Sequence, residues 1–290
     1  MLFALLRTLR PKQWIKNLFV GVPLVFGSRL ADPTSFARTS AIFALFCVIS
    51  GCVYVINDII DVDKDRAHPK KRFRPIPSGE LPPAVARLFV TLTVPVTVGL
   101  AFWLAPLAGS VLLGYFTLNL AYCFKLKNVP YVDVLSIALG FVLRVLAGAA
   151  AIDLPPSPWL LACTALLSMF LGFGKRAHEL ASSTEGTKQR SVLAHYRQGV
   201  LTAILYTLAL TTAIVYGLYT ESDHVRQAFG DARLIYTLPM PIIGIARFIY
   251  LVTTRHEAES PTEEMLRDIP FMLNFVAWLV VTALLLYGVI

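Results

Sequence analysis

The sequence predicts an all-α, polytopic membrane protein of about nine transmembrane helices, and three observations carry the prediction. The 290 residues are 56% apolar and only 15% charged, with a mean hydropathy of +0.66. That is more apolar surface than one soluble core of this length can hide. Stretches long enough to cross a bilayer recur along the whole chain, which leaves no room for a separate soluble domain and makes 1–290 a single integral-membrane domain. Gly51, Pro95, Gly114, Gly140, Gly172 and Gly244 fall inside those stretches and suit membrane helices, whereas a barrel needs alternating polarity. Low charge, glycine without a period and only four cysteines exclude a disordered chain, a collagen and a disulfide-stapled domain. Cys47, Cys52, Cys123 and Cys163 each sit in an apolar run and read as small packed hydrophobes.

The spans follow in order. The first, 15–31, comes after Arg7 and Arg10; Leu2 to Leu6 is too short for a signal-peptide core and lacks a cleavage site, so this span is expected to be retained. The second, 38–56, meets the cytoplasm in an acidic run, and the third covers 84–104. The fourth, 107–124, presents Tyr115, Asn119 and Tyr122 at i, i+4 and i+7 and ends at Lys125, as a sugar-contacting face or an interhelical polar seam. The fifth, 133–152, holds Asp133 and Arg144 on one face. An unpaired arginine at that depth costs about 3 kcal/mol, so Arg144 needs a partner: a salt bridge to another helix, or a phosphate or metal site. The sixth, 158–174, runs into Gly174-Lys175-Arg176-Ala177-His178-Glu179-Leu180, and 198–219, 234–252 and 270–290 complete the set. His178 and His195 are expected at the surface, for no second ligand stands at metal spacing.

Nine spans put the termini on opposite sides. Of the 26 Lys and Arg residues, 20 fall in the segments on the side of the N-terminus, so the N-terminus is expected in the cytoplasm and the C-terminus across the cell membrane. The net charge of +8 is then a topology signal with attraction to an anionic bilayer, and requires no nucleic acid.

The most informative run is Tyr54-Val-Ile-Asn57-Asp58-Ile-Ile-Asp61-Val-Asp63-Lys64-Asp65. On a continuing helix Asp58, Asp61 and Asp65 share one stripe, where they repel one another unless a cation is bound. Mg²⁺ suits them, because it takes one or two carboxylates and fills its shell with water and phosphate oxygens. An EF-hand is excluded: Arg66 and Arg72 stand where Gly and Glu are required. The next loop, His68 to Gly79, packs Lys70, Lys71, Arg72 and Arg74 beside the acids. Metal and cations together make a diphosphate site.

Asn57-Asp58-x-x-Asp61-x-x-x-Asp65 followed by Arg74-Pro75-x-x-x-Gly79 resembles the first signature of the UbiA superfamily of intramembrane prenyltransferases. The opening Arg10-Pro11-Lys12-Gln13-Trp14-Ile15-Lys16-Asn17 and Leu143-Arg144-x-x-x-Gly148 extend the likeness over nearly the whole chain. The resemblance implies a helical bundle around a cytoplasm-facing polar cavity, with Mg²⁺ held by Asp residues on a diphosphate and a lipid chain in a membrane-open groove. Where ordinary members carry a second Asp-rich motif, this chain has Gly174-Lys175-Arg176-x-x-Glu179-Leu180, so carboxylates are exchanged for cations. That motif is similar to the decaprenyl-phosphate phosphoribosyltransferase branch, which implies transfer of phosphoribose from phosphoribosyl diphosphate to a polyprenyl phosphate. Lys175 and Arg176 are expected to bind a further phosphate, with Arg72 and Arg74 on phosphates and Lys12, Lys16 and Asn17 at the lipid head. A prenyltransferase joining a prenyl diphosphate to an aromatic acceptor is the alternative. A transporter is disfavoured, since no paired, interrupted half-helices appear.

Overall fold

The structure, a computed structural model, describes residues 1–182, 191–223, 225, 226, 233–254, 264, 265 and 267–287. Lys188, Arg190 and Arg255, counted above among the basic residues, lie outside the described residues. Its helices are α1 (Leu2–Thr8), α2 (Val22–Phe26), α3 (Pro33–Ile60), α4 (Val62–Arg66), α5 (Pro83–Leu104), α6 (Pro106–Phe124), α7 (Val132–Ala151), α8 (Pro158–Ala181), α9 (Gln198–Thr220), α10 (Pro239–Thr254) and α11 (Ile269–Leu286). Proline opens α3, α5, α6, α8 and α10 and stands second in α11. At those positions its missing N–H has no intrahelical partner to lose and its fixed φ already suits a helix, so the prolines set the starts.

Eight helical segments among the described residues are long and apolar enough to cross a membrane. The remaining expected span has another form: a 3-10 helix over Pro11–Gly21 continues into the short α2. At roughly 2.0 Å rise per 3-10 residue and 1.5 Å per α residue, this piece reaches about 30 Å, the thickness of a hydrocarbon core. The sixth helix also outruns its expected end, reaching Ala181 instead of 174, because Lys175, Arg176, Ala177, Glu179 and Leu180 are good helix formers.

The chain divides into two compact units, 1–127 with 140–156 and 128–139 with 157–290. In the first, Ile42, Phe46 and Ile49 of α3 pack with Leu112, Tyr115, Ala147 and Val20. The 3-10 segment lies so close to α7 that a Cβ on Gly148 would collide with the Val20 carbonyl. Only glycine permits that approach. Asp32 caps α3: its carboxylate accepts from the Thr34 and Ser35 amides and the Ser35 hydroxyl, bonds that hold its pKa below the usual carboxylate value.

In the second unit, Phe170, Phe173, Leu201, Leu205 and Phe248 form the core with Val134. Arg247, inside α10, makes a two-point bond to Asp268 at 3.0 and 2.8 Å, and Asp268 also caps α11 through the Phe271 amide. His178 corrects the surface expectation. It is buried, with Nδ1 3.5 Å from the Val252 carbonyl, because the extended α8 turns this face onto α10. His195 is exposed.

Candidate functional site

In the first unit the polar groups gather where α3 ends. The helix stops at Ile60; Asp61, with φ −93° and ψ 12°, leaves helical geometry for one residue before α4 starts. The single stripe expected of Asp58, Asp61 and Asp65 is therefore kept in part: Asp58 and Asp65 meet on one guanidinium, while Asp61 turns to a different cation. Asp58 Oδ1 accepts from Arg10 at 2.5 Å and Arg74 at 3.1 Å. The same Arg74 nitrogen donates to Asp65 Oδ2 at 2.5 Å, and Lys71 stands 3.8 Å from Asp65 Oδ1. Asp61 instead takes Lys127 at 2.6 Å, and that ammonium also donates to Asn57 Oδ1 at 3.3 Å.

Asp58 and Asp65 are nearly inaccessible, while Arg10 and Arg74 keep over a quarter of their side-chain surface. In these pairs the acids sit at the base and the cations at the mouth, whereas Asp61 and Lys127 are about equally accessible. Four cations thus face three carboxylates, a balance that favours an entering anion. Among the described residues no three acidic, His or Cys side chains converge as a ready metal cage. The donor set nevertheless fits Mg²⁺: the carboxylates are hard oxygen ligands, two of them meet on one guanidinium, and this ion needs only one or two when phosphate completes its shell.

Of the remaining expected residues, Tyr54 lies beneath the Arg10 guanidinium, 4.7 Å from ring centroid to carbon. Arg72 is exposed and stacks on Phe73, and neither it nor Lys125 is brought to the acids. Tyr122 is half-buried. Asn17 corrects the lipid-head expectation: it is fully buried, donating to Ser50 at 3.1 Å and accepting from Arg144 Nε at 2.8 Å. Lys16, its neighbour, is half-buried.

Arg144 has its partner, but a neutral set. Besides Asn17 it donates to the Tyr115 hydroxyl at 2.7 Å and the Gly140 carbonyl at 2.9 Å, and its plane lies over the Tyr115 ring. Of the Tyr115, Asn119 and Tyr122 stripe, Tyr115 makes an interhelical polar contact to Arg144 and the Asn119 amide bonds its own helix at the Tyr115 carbonyl.

The second unit holds another charged cluster. Arg176 is 2% exposed and donates through Nε to Asp133, at 0% exposed, over 2.7 Å; its Nη1 donates to Glu179. Lys175 stands 4.0 Å from the other Glu179 oxygen with 36% of its side chain accessible. Of the two cations expected to bind phosphate, Arg176 is thus turned inward and Lys175 is the accessible one. Tyr196 adds a 2.6 Å bond to Asp133.

Sequence reasoning passed over Arg10, Lys127 and Tyr196. Arg10 carried one signal, its place before Pro11: it holds φ 52°, a left-handed conformation that a side chain rarely adopts, and the Asp58 bond helps hold it there. Lys127 carried none that separates it from Lys125, and the separation is made by the turn after α6.

The chain is thus an all-helical, multi-pass membrane protein with acids and bases paired at its helix ends. The fold matches that of a UbiA homolog from Archaeoglobus fulgidus bound to DMAPP and Mg²⁺, with a TM-score of 0.72, 19% identity and coverage of 98% of this chain and 99% of the other. The sequence profile of the UbiA prenyltransferase family matches residues 20–275, and the chain belongs to that family. Among its relatives is a decaprenyl-phosphate phosphoribosyltransferase of Mycolicibacterium smegmatis, 36% identical over 95% of this chain and 90% of the relative. Another of the same name, from Corynebacterium glutamicum, is 32% identical over 98% and 87%.

Proposed function

We propose that this membrane transferase moves the 5-phosphoribosyl group from phosphoribosyl diphosphate to a polyprenyl phosphate of the decaprenyl type and releases diphosphate. The observation that carries the proposal is the similarity, over nearly the whole length of both chains, to two phosphoribosyltransferases of that specificity. The replacement of a second acidic motif by Lys175 and Arg176 supports it.

Asp58, Asp61 and Asp65 are the residues that would hold Mg²⁺. When bound, the ion withdraws charge from the leaving diphosphate. Arg10, Arg74 and Lys127, which in the ligand-free chain neutralise those acids, are placed to exchange them for diphosphate oxygens. Bond breaking at the ribose C1–O bond sends the electron pair to diphosphate, and an oxygen of the lipid phosphate forms the new bond to C1. That oxygen is already anionic near neutral pH, so no side chain need take a proton. The protein's work is positioning and charge stabilisation.

The basic-residue bias supports an N-terminus and acid–base cluster on the cytoplasmic side. Purified protein with Mg²⁺, a polyprenyl phosphate and labelled phosphoribosyl diphosphate is expected to yield Asp61-dependent lipid-soluble label. Absence of label there, with prenylation of an aromatic acid from a prenyl diphosphate in a parallel reaction, would overturn the donor assignment.

A further inference from the structure

We propose that Tyr196 and Asp133 are positioning residues that act through Arg176 and Glu179 to set the Lys175 ammonium for a substrate phosphate. The inference rests on the phosphoribosyl reading above and assigns work to residues outside the acidic cluster.

The geometry is a line of hydrogen bonds that ends in an ion-pair contact. Glu179 offers one oxygen to Lys175 at 4.0 Å and the other to Arg176. Arg176 is held in turn by Asp133 Oδ2 at 2.7 Å, and Asp133 Oδ1 accepts the Tyr196 hydroxyl at 2.6 Å. The Tyr196 oxygen accepts the Tyr131 amide, also at 2.6 Å, and Tyr131 is kept at φ 65°, in the left-handed region. Burial and the Asp133 bond push the Tyr196 phenol up, so it remains a protonated donor.

Stability alone is a weak reason for such an arrangement. Removing an arginine and a carboxylate from water costs about as much as their attraction returns, and apolar side chains of equal volume serve a core as well or better. What a buried pair supplies instead is a fixed direction. Of the charged groups in this line Lys175 is the most accessible, and its partner Glu179 has little freedom once Arg176 is anchored. Lys175 therefore meets phosphate, and the buried residues aim it.

The test is a double-mutant cycle on transfer activity in detergent, with KM for phosphoribosyl diphosphate and for polyprenyl phosphate measured separately. Tyr196→Phe is expected to raise the phosphoribosyl diphosphate KM by about threefold to tenfold, the worth of one hydrogen bond, with kcat and the lipid KM within about twofold. Lys175→Met raises the same KM further, and the double variant is no worse than Lys175→Met alone, because Tyr196 acts through Lys175. Independent, multiplying losses would overturn the inference, as would a Tyr196→Phe enzyme that unfolds earlier or turns over more slowly at unchanged KM. Should Tyr196→Phe not fold, the half-buried Glu179→Gln takes its place in the cycle with the same expectation. A wild-type enzyme without transfer activity is a separate failure, that of the functional reading itself, and is seen before any variant is assayed.

Discussion

Replacing Arg144 by methionine tests whether this arginine holds the fold or the substrate. Methionine keeps much of the volume in α7 but removes every donor. Two acceptors are then orphaned in a buried place, Asn17 Oδ1 and the Tyr115 hydroxyl, while the Gly140 carbonyl lies within a helix that supplies its own bonds. An unmet buried acceptor costs about 1–3 kcal/mol, so the loss lies between about 2 and 6 kcal/mol. Polar groups inside a bilayer find substitute partners when the fold loosens, which places the expected value near the lower end, about 2 kcal/mol. That still changes the folded-to-unfolded ratio about thirtyfold. Thermal unfolding in detergent is read conveniently by a thiol-reactive fluorophore, since Cys47, Cys52 and Cys123 are buried until the fold opens. Arg144→Met should react at a clearly lower temperature, and Arg144→Lys, which keeps the charge but loses the planar fork, should fall between it and the wild type. An Arg144→Met protein with an unshifted midpoint and no activity would refute the reasoning and make Arg144 a substrate ligand.

Other outcomes are expected on the same grounds. Asp58→Asn and Asp61→Asn should each lower turnover by about a hundredfold or more while the thiol-exposure midpoint stays close to the wild type, because the asparagine oxygen still accepts from Arg10 or Lys127. Chelation of divalent cations should abolish transfer and added Mg²⁺ restore it; full activity in excess chelator would remove the metal from the mechanism. Gly148→Ala should lower the unfolding midpoint by pushing Val20 away, whereas Gly114→Ala, where a Cβ meets open space, should not. The Asp32 cap has a folded pKa below its ordinary 3.8, so its stabilisation is fully present above that value and is lost as pH falls through the folded pKa. Unfolding midpoints measured between neutral and strongly acidic pH should therefore converge for wild type and Asp32→Ala at the acid end.

Much of the membrane architecture was legible because a bilayer imposes a length and forbids unpaired backbone. Pro83–Leu104 and Pro106–Phe124 begin within a residue of the expected 84 and 107. The first expected span was not legible as a 3-10 segment, since apolar composition does not distinguish one helical rise from another. The segment also packs closely on Gly148, a contact more than a hundred residues away in sequence. The acids and bases of the site were legible as a set but not as pairs. Periodicity assumes that a helix continues, and α3 breaks at Asp61, the middle acid of the motif.

That break explains why one motif presents two kinds of carboxylate. Had α3 continued, three like charges on one stripe would have stood together without relief. The single non-helical residue instead sends Asp61 to Lys127 and leaves Asp58 and Asp65 sharing Arg74, so every acid of the ligand-free site is paired with one of the protein's own cations. On the proposed function, a diphosphate and its metal would give each side a better partner: carboxylates for the ion, guanidinium and ammonium for the phosphate oxygens. An acidic motif and the basic residues around it are therefore one device, and substituting either side should impair binding of the same diphosphate.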